Sequence, residues 1–261
     1  LERFLLVHVP GPLLGALMVV VAVAISVGGL MLVRRNVALA TLEQHNDVAG
    51  FIIAVIGLLY GVLLAFVVII VWQQYDAATS NANHEAISVD LLYRDAALFP
   101  DQTAPIRQTL REYAHSVVDD EWHAMSDRQG DSPVTDHLVG QLLTQFRAVH
   151  IQSPEEQTFY TESVKRVYDL ADARRQRLDA NSNQLPGVLW IVLLAGGVIT
   201  VGFTYFFGVS HFASHVLMVA ALAAMIALTL YLVLSLDLPF SGDLRVGPHA
   251  MEQAIRELAH L

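Results

Sequence analysis

The chain has no cysteine and a single lysine, Lys165, among 261 residues. Disulfide scaffolds, thiolate metal sites and thiol redox chemistry are thereby excluded. Charge is sparse as well: 15% of residues are Asp, Glu, Lys or Arg, against about a quarter in an ordinary soluble domain. Only 15 basic residues face 25 carboxylates, and no basic run carries interleaved aromatics, so nucleic acid is not an expected partner. No Gly-rich phosphate loop or nucleophile elbow is present, and the scattered Ser, His and Asp residues lack triad spacing. The chain therefore reads as a non-enzyme with no cofactor and no metal centre.

What the sequence has in abundance is apolar surface, gathered in blocks. Hydrophobic residues make up 54% of it, and the mean hydropathy is +0.49. Four charge-free runs, 12–33, 48–72, 186–208 and 212–236, are each 22 to 25 residues long. At ~1.5 Å rise per residue, each can cross a hydrocarbon layer of ~30 Å with some tilt. The expected fold class is an all-α integral membrane protein. Four transmembrane helices flank a helical cytoplasmic insert placed between the second and third.

The domain plan follows from composition. Residues 1–72 hold the first two spans, 73–185 the insert, 186–236 the last two spans, and 237–261 a C-terminal tail. The insert carries 18 carboxylates and 10 Arg or Lys residues, so most of the net charge of −10 lies there. Its apolar residues recur at helical spacing, as in Ile106, Leu110, Tyr113, Val117 and Trp122. Ser132-Pro133 and Ser153-Pro154 each place a cap residue before a proline at the first helical position, and Glu156 completes a capping box with Ser153. No helix breaker follows the second span until Pro100, so that span is expected to continue beyond the bilayer as one long helix.

Four spans put the N-terminus, insert and C-terminus on one side. That side carries Arg3, Arg174, Arg175, Arg177 and Arg245 near the span ends, and the other only Arg34 and Arg35. The positive-inside rule then places the insert in the cytoplasm of a multi-pass protein of the plasma (inner) membrane.

Within the spans, His215 is the only ionisable side chain near a membrane core, which disfavours a proton relay or a charged transport site. An ion path would have to form between copies. Ile53, Ile56, Tyr60, Leu64 and Val67 recur down one side of the second span and are candidate pore-lining residues of a hydrophobic gate. The alternative is that this seam faces its own bundle. Gly57, Gly61 and Ala65 form a small-residue stripe suited to close helix packing, within a subunit or between subunits of a homo-oligomer.

Candidate polar sites sit at the span ends. His45, Asn46 and Asp47 open the second span, either as a helix cap or as an acidic ring at an outer mouth. Asp76 and Asp237 are inner-mouth candidates, with Asp237 alternatively a turn anchor; Glu85 could line the same vestibule. His211 and His215 have the i, i+4 spacing of a metal pair but lack a third ligand.

His45-Asn46-Asp47-Val48-Ala49-Gly50, Tyr60 to Phe66, Trp72, Glu85-Ala86, Leu185-Pro186 with Leu189-Trp190, Gly202 to Gly208, and Leu236 to Gly242 follow one another along the chain. Together these blocks resemble the bacterial bestrophin-like family. The resemblance implies an oligomeric channel with four membrane helices per subunit and a pore lined by the second. Pro239-Phe240-Ser241-Gly242 is similar to the Pro-Phe-Gly element of bestrophins, but only Asp243 follows it here instead of the acidic run that helps hold calcium there. The expected function is passive conduction of small inorganic ions across the lipid bilayer, with cations slightly favoured by the mouth charges. An anion channel of bestrophin type, or a membrane scaffold docking a partner through the acidic insert, are the alternatives.

Overall fold

Helices begin and end where the chain chemistry requires it. The computed structural model describes residues 9–43, 46–97, 100–126, 130–151 and 153–260. The first span is α1 (Gly11–Asn36), started by prolines and ended by Arg34 and Arg35, whose charges suit the negative end of a helix dipole. After the short α2 (Leu39–Glu43), the second span belongs to α3 (Asn46–Ala96), a single 51-residue helix. The insert continues with α4 (Pro100–Ser116), a π-helical turn (Val117–Glu121), α5 (Trp122–Ser126), α6 (Pro133–Arg147) and α7 (Pro154–Ser182). The last spans are α8 (Gly187–Thr204) and α9 (Phe212–Asp237), and α10 (His249–Leu258) closes the described chain. Four of these helices are long and apolar enough to cross a membrane, and no strand occurs among the described residues.

The chain divides into two compact units. The first takes residues 1–73, 185–238 and 242–244. In it, α1 packs along α9, with Leu14 against Leu234 and Leu238 at one end and Leu30 against Val219 and Ala223 at the other. Gly15 lets the Tyr231 ring lie 3.1 Å from where a Cβ would stand. Gly11 donates its N–H to Asp243, so the one acidic residue after the Pro-Phe-Ser-Gly element satisfies the start of α1.

The second unit takes residues 74–184, 239–241 and 245–261. Its core joins Val89, Leu92, Ile106, Leu110, Leu142 and Leu170. Ser132 and Ser153 accept the N–H groups of Thr135 and Glu156, as the cap motifs predict. The segment expected as a C-terminal tail contributes to this core: Met251, Ala254 and Leu258 of α10 are buried in it. Phe240 meets the Trp122 ring edge-on at 5.9 Å, and the Trp122 indole donates to the Val246 carbonyl.

Candidate functional site

The second span is apolar all round, so its faces are distinguished only by what covers them. Tyr60 and Val67 are buried, and Ile53, Ile56 and Leu64 are half-buried. Tyr60 sets this orientation. Its hydroxyl donates to the Leu193 carbonyl of α8 at 3.0 Å, and its ring lies over Gly196 and Gly197, where a Cβ on Gly196 would stand 2.5 Å from the ring. The seam expected to line a pore is thus the covered face of the helix within its own subunit. A tyrosine in the middle of a span finds its hydrogen-bond partner on a neighbouring helix, and the glycines opposite make room for it.

The opposite face carries Phe51, Leu58, Val62, Phe66 and Ile69, all exposed in the single chain. Leu58 is 68% and Phe51 74% accessible. Beside them, Gly57 and Gly61 have nothing within 4 Å of the position a Cβ would take, and Ala65 is exposed. The small-residue stripe therefore has no packing role inside the subunit at these two glycines.

At the start of α3, Asn46 is a structural tie. Its side-chain amide donates to the Gly208 carbonyl at 3.0 Å, and its oxygen accepts the Gly208 N–H at 2.9 Å. Gly208 comes so close to α2 that an added Cβ would meet the Glu43 nitrogen at 2.5 Å. Arg34 secures the same turn, donating to Val209 O at 2.6 Å and lying over the Phe212 ring. Asp47 is exposed, while His45 lies outside the described residues.

Of the inner-mouth candidates, Asp76 is exposed and Asp237 is buried. Asp237 accepts the Leu185 N–H at 2.7 Å just before α8, the turn-anchor role. His215 is buried with Nε2 3.0 Å from Thr204 O, whereas His211 is exposed.

The largest departure from the sequence reading is in the insert. Glu85, expected on a wet vestibule wall, is wholly buried against Arg177 of α7, whose Nε and Nη2 donate to its two oxygens at 2.5 and 3.0 Å. Arg177 also binds Glu121 and lies over the Trp122 ring, and the Tyr113 hydroxyl donates to Glu85 at 2.6 Å. Arg174 continues the network, reaching Glu121 at 2.7 Å and Asp136 at 3.0 Å. Burial alone would push the Glu121 carboxyl up, but hydrogen bonds and charge from Arg174 and Arg177 outweigh it and hold it below the usual range. Burial disfavours the charged Arg177 as well, yet Glu85 and Glu121 more than compensate and keep it firmly protonated. Burial and the neighbouring Glu85 push the Tyr113 hydroxyl well above 10.

The π-helical turn makes this network possible, because one extra residue in the turn lets Val117, Glu121 and Trp122 all point inward. The sequence signal for it was the five-residue step from Val117 to Trp122.

A family profile described as Bestrophin-like domain matches residues 20–251. The chain belongs to the Bestrophin-like family. The fold agrees with this. Two crystal structures of a bacterial bestrophin homologue from Klebsiella pneumoniae, each with a point mutation, superpose with TM-scores of 0.71 and 0.72 at 13% identity. They cover 92% and 93% of this chain and 99% and 98% of their own. A crystal structure described as a membrane protein gives 0.71 at 13% identity, covering 93% of this chain and 97% of its own. At that identity the likeness is one of fold. No curated protein matches the sequence. In this Bestrophin-like chain, Tyr60 and the Asn46–Gly208 tie fix the second span within the subunit and leave its other face uncovered.

Proposed function

We propose that this Bestrophin-like protein is a homo-oligomeric ion channel whose pore forms where the outward faces of α3 meet. The observation that carries this reading is the second span itself. One face is locked onto α8 by Tyr60, while the face bearing Phe51, Leu58, Val62 and Ile69 is uncovered. Gly57 and Gly61 beside it are open to a neighbouring helix. The spans offer no charged path inside one subunit, so permeation belongs to the assembly. An apolar seam of this kind acts as a gate that conducts when wetted and blocks when dry. The pore-lining assignment accordingly moves from Ile53, Ile56, Tyr60, Leu64 and Val67 to the opposite side of the helix.

Asp47, exposed at the start of α3, repeats around the axis as an acidic ring that concentrates cations, and the preference is for cations over anions. The insert and both termini are cytoplasmic in a plasma-membrane protein, supported by Arg175 and Arg245. Arg174 and Arg177 add less to that argument than their number suggests, because both are buried in ion pairs.

The test uses the natural absence of cysteine. Purified protein in liposomes is expected to pass ions down a gradient without a coupled ion, as read by a flux dye. Leu58→Cys is expected to be blocked by a thiol reagent, and Tyr60→Cys to be unaffected by it. Absence of flux would support a scaffold and overturn the channel; block at Tyr60→Cys alone would return the pore to the other face.

A further inference from the structure

We infer that the cleft between α4 and α10 is a binding site for a small phosphate-type oxyanion. Arg107, Arg111 and His115 follow one another at four-residue spacing on α4 and so share one face of that helix. Arg111 and His115 line an open cavity of about 90 Å³, whose other walls are Ile255, Leu258 and Ala259 of the C-terminal segment.

The arginines are held in place before any ligand arrives. Tyr93 is buried, and both guanidinium groups lie over its ring, Arg107 at 6.0 Å and Arg111 at 5.1 Å from the centroid. Arg111 also donates to the Tyr93 hydroxyl. Stacking on an aromatic face fixes a guanidinium plane while leaving its edge free to donate.

Charge pairing divides the arginines of this unit into two groups, and Arg107 and Arg111 fall in the one without a carboxylate partner among the described residues. Arg94, Arg166, Arg174 and Arg177 each meet a carboxylate oxygen within 2.8 Å. Among the described residues, no carboxylate lies within 4.0 Å of Arg107 or Arg111. The Arg107 Nε is shielded from solvent and has no acceptor. Glu257 is drawn to Arg94 at 3.9 Å, whereas Asp119, 3.8 Å from His115, competes with an incoming anion for that imidazole.

Arg107 and Arg111 share one helix face, both stack on Tyr93 and neither has a carboxylate partner among the described residues, so together they can take an external anion. The cavity is too small for a nucleotide and suits phosphate or the head of a phosphate monoester. A dianion matches Arg111 and the His115 imidazole, with Arg107 one turn away on the same helix face, better than a single carboxylate does, and the guanidinium fork donates to such oxygens two at a time. Ile255 and Leu258 give the cavity an apolar wall. Because the whole protein is at −10, diffuse attraction for anions is absent, and binding has to come from the local cluster.

The experiment is titration of the purified full-length protein, in neutral-lipid nanodiscs, with inorganic phosphate, followed by ³¹P NMR or calorimetry. Saturable binding of one phosphate per chain is expected. Arg111→Gln and Arg107→Gln should each weaken it by about tenfold or more, as expected for loss of a charge-assisted pair. Arg175→Gln, at an exposed arginine elsewhere, should not change it. Exposed His115→Gln serves as the variant least able to disturb folding and should also lower affinity. Soluble dihexanoyl phosphatidic acid distinguishes the sources of the same chemistry: displacement of phosphate assigns the site to a lipid headgroup, and failure to displace assigns it to a free phosphate. No saturable binding to the natural protein, or undiminished binding in all three α4 variants, overturns the proposal.

Discussion

Arg177 and Glu85, 92 residues apart in sequence, meet as a two-point ion pair with neither side chain exposed to solvent. A pair this deep is costly to break from one side, because the remaining charge is left buried and alone. Arg177→Ala or Glu85→Ala is expected to destabilise the protein by roughly 3–5 kcal/mol, whereas Arg177→Met combined with Glu85→Leu should recover much of that loss. Chemical denaturation of the detergent-solubilised protein, read by far-ultraviolet circular dichroism, checks the order of the three variants.

Acid acts on the same network through Glu121. Its folded carboxyl titrates below its ordinary value of 4.5, so at intermediate acidity the unfolded chain binds the proton and the folded one does not. Stability from this group is therefore complete above about pH 5 and lost as pH falls through the depressed folded value. Glu121→Gln should be less stable than the natural protein at pH 7 and fall less steeply below pH 5. Melting temperatures measured from pH 7 down to pH 3 give both slopes, and parallel curves would contradict the assignment.

The four spans and the two serine caps were legible because each is written in a contiguous stretch: a run of apolar residues, or a Ser-Pro step. The face of the second span was not. A helical repeat in a span that is greasy on every side shows which residues share a face, and carries no sign of which neighbour covers it. Tyr60 held the only polar atom in that seam, and its partner Leu193 O comes from a backbone that sequence does not mark. Glu85 and Arg177 were hidden for a related reason, since a charge on an amphipathic helix reads as solvated until its partner from a distant helix is known.

Two glycine groups in the spans should respond in opposite ways. Gly196→Ala forces a Cβ to within 2.5 Å of the Tyr60 ring and should loosen the α3–α8 contact. Tyr60→Phe removes one buried hydrogen bond, a loss of about 1 kcal/mol. Gly61→Val meets open space in the subunit and should leave subunit stability unchanged while weakening assembly. Thermal unfolding together with native mass spectrometry in mild detergent separates the two effects.

The turn between the third and fourth spans depends on a backbone approach that tolerates no side chain. At Gly208 an added Cβ would meet the Glu43 backbone nitrogen and Cα at 2.5 and 2.7 Å, atoms that cannot swing aside. Gly208→Ala should therefore be more damaging than Asn46→Ala, which loses two hydrogen bonds worth about 1–3 kcal/mol together. Expression yield and melting temperature of the two variants provide the comparison.

Asp47 is the acidic residue at the start of α3 that remains exposed once Asn46 is tied to Gly208, so it carries the proposed cation preference. Removing its charge from every subunit at once weakens a ring potential that scales with the number of copies, while leaving the apolar seam untouched. Asp47→Asn should shift the reversal potential under a salt gradient towards the anion value, and Asp47→Lys should shift it further. The shift should shrink as ionic strength rises, since an exposed ring is screened within about 8 Å at 0.15 M salt. Equal reversal potentials for the natural protein and both variants would mean that selectivity is set inside the apolar seam, where ions shed water, rather than at its mouth.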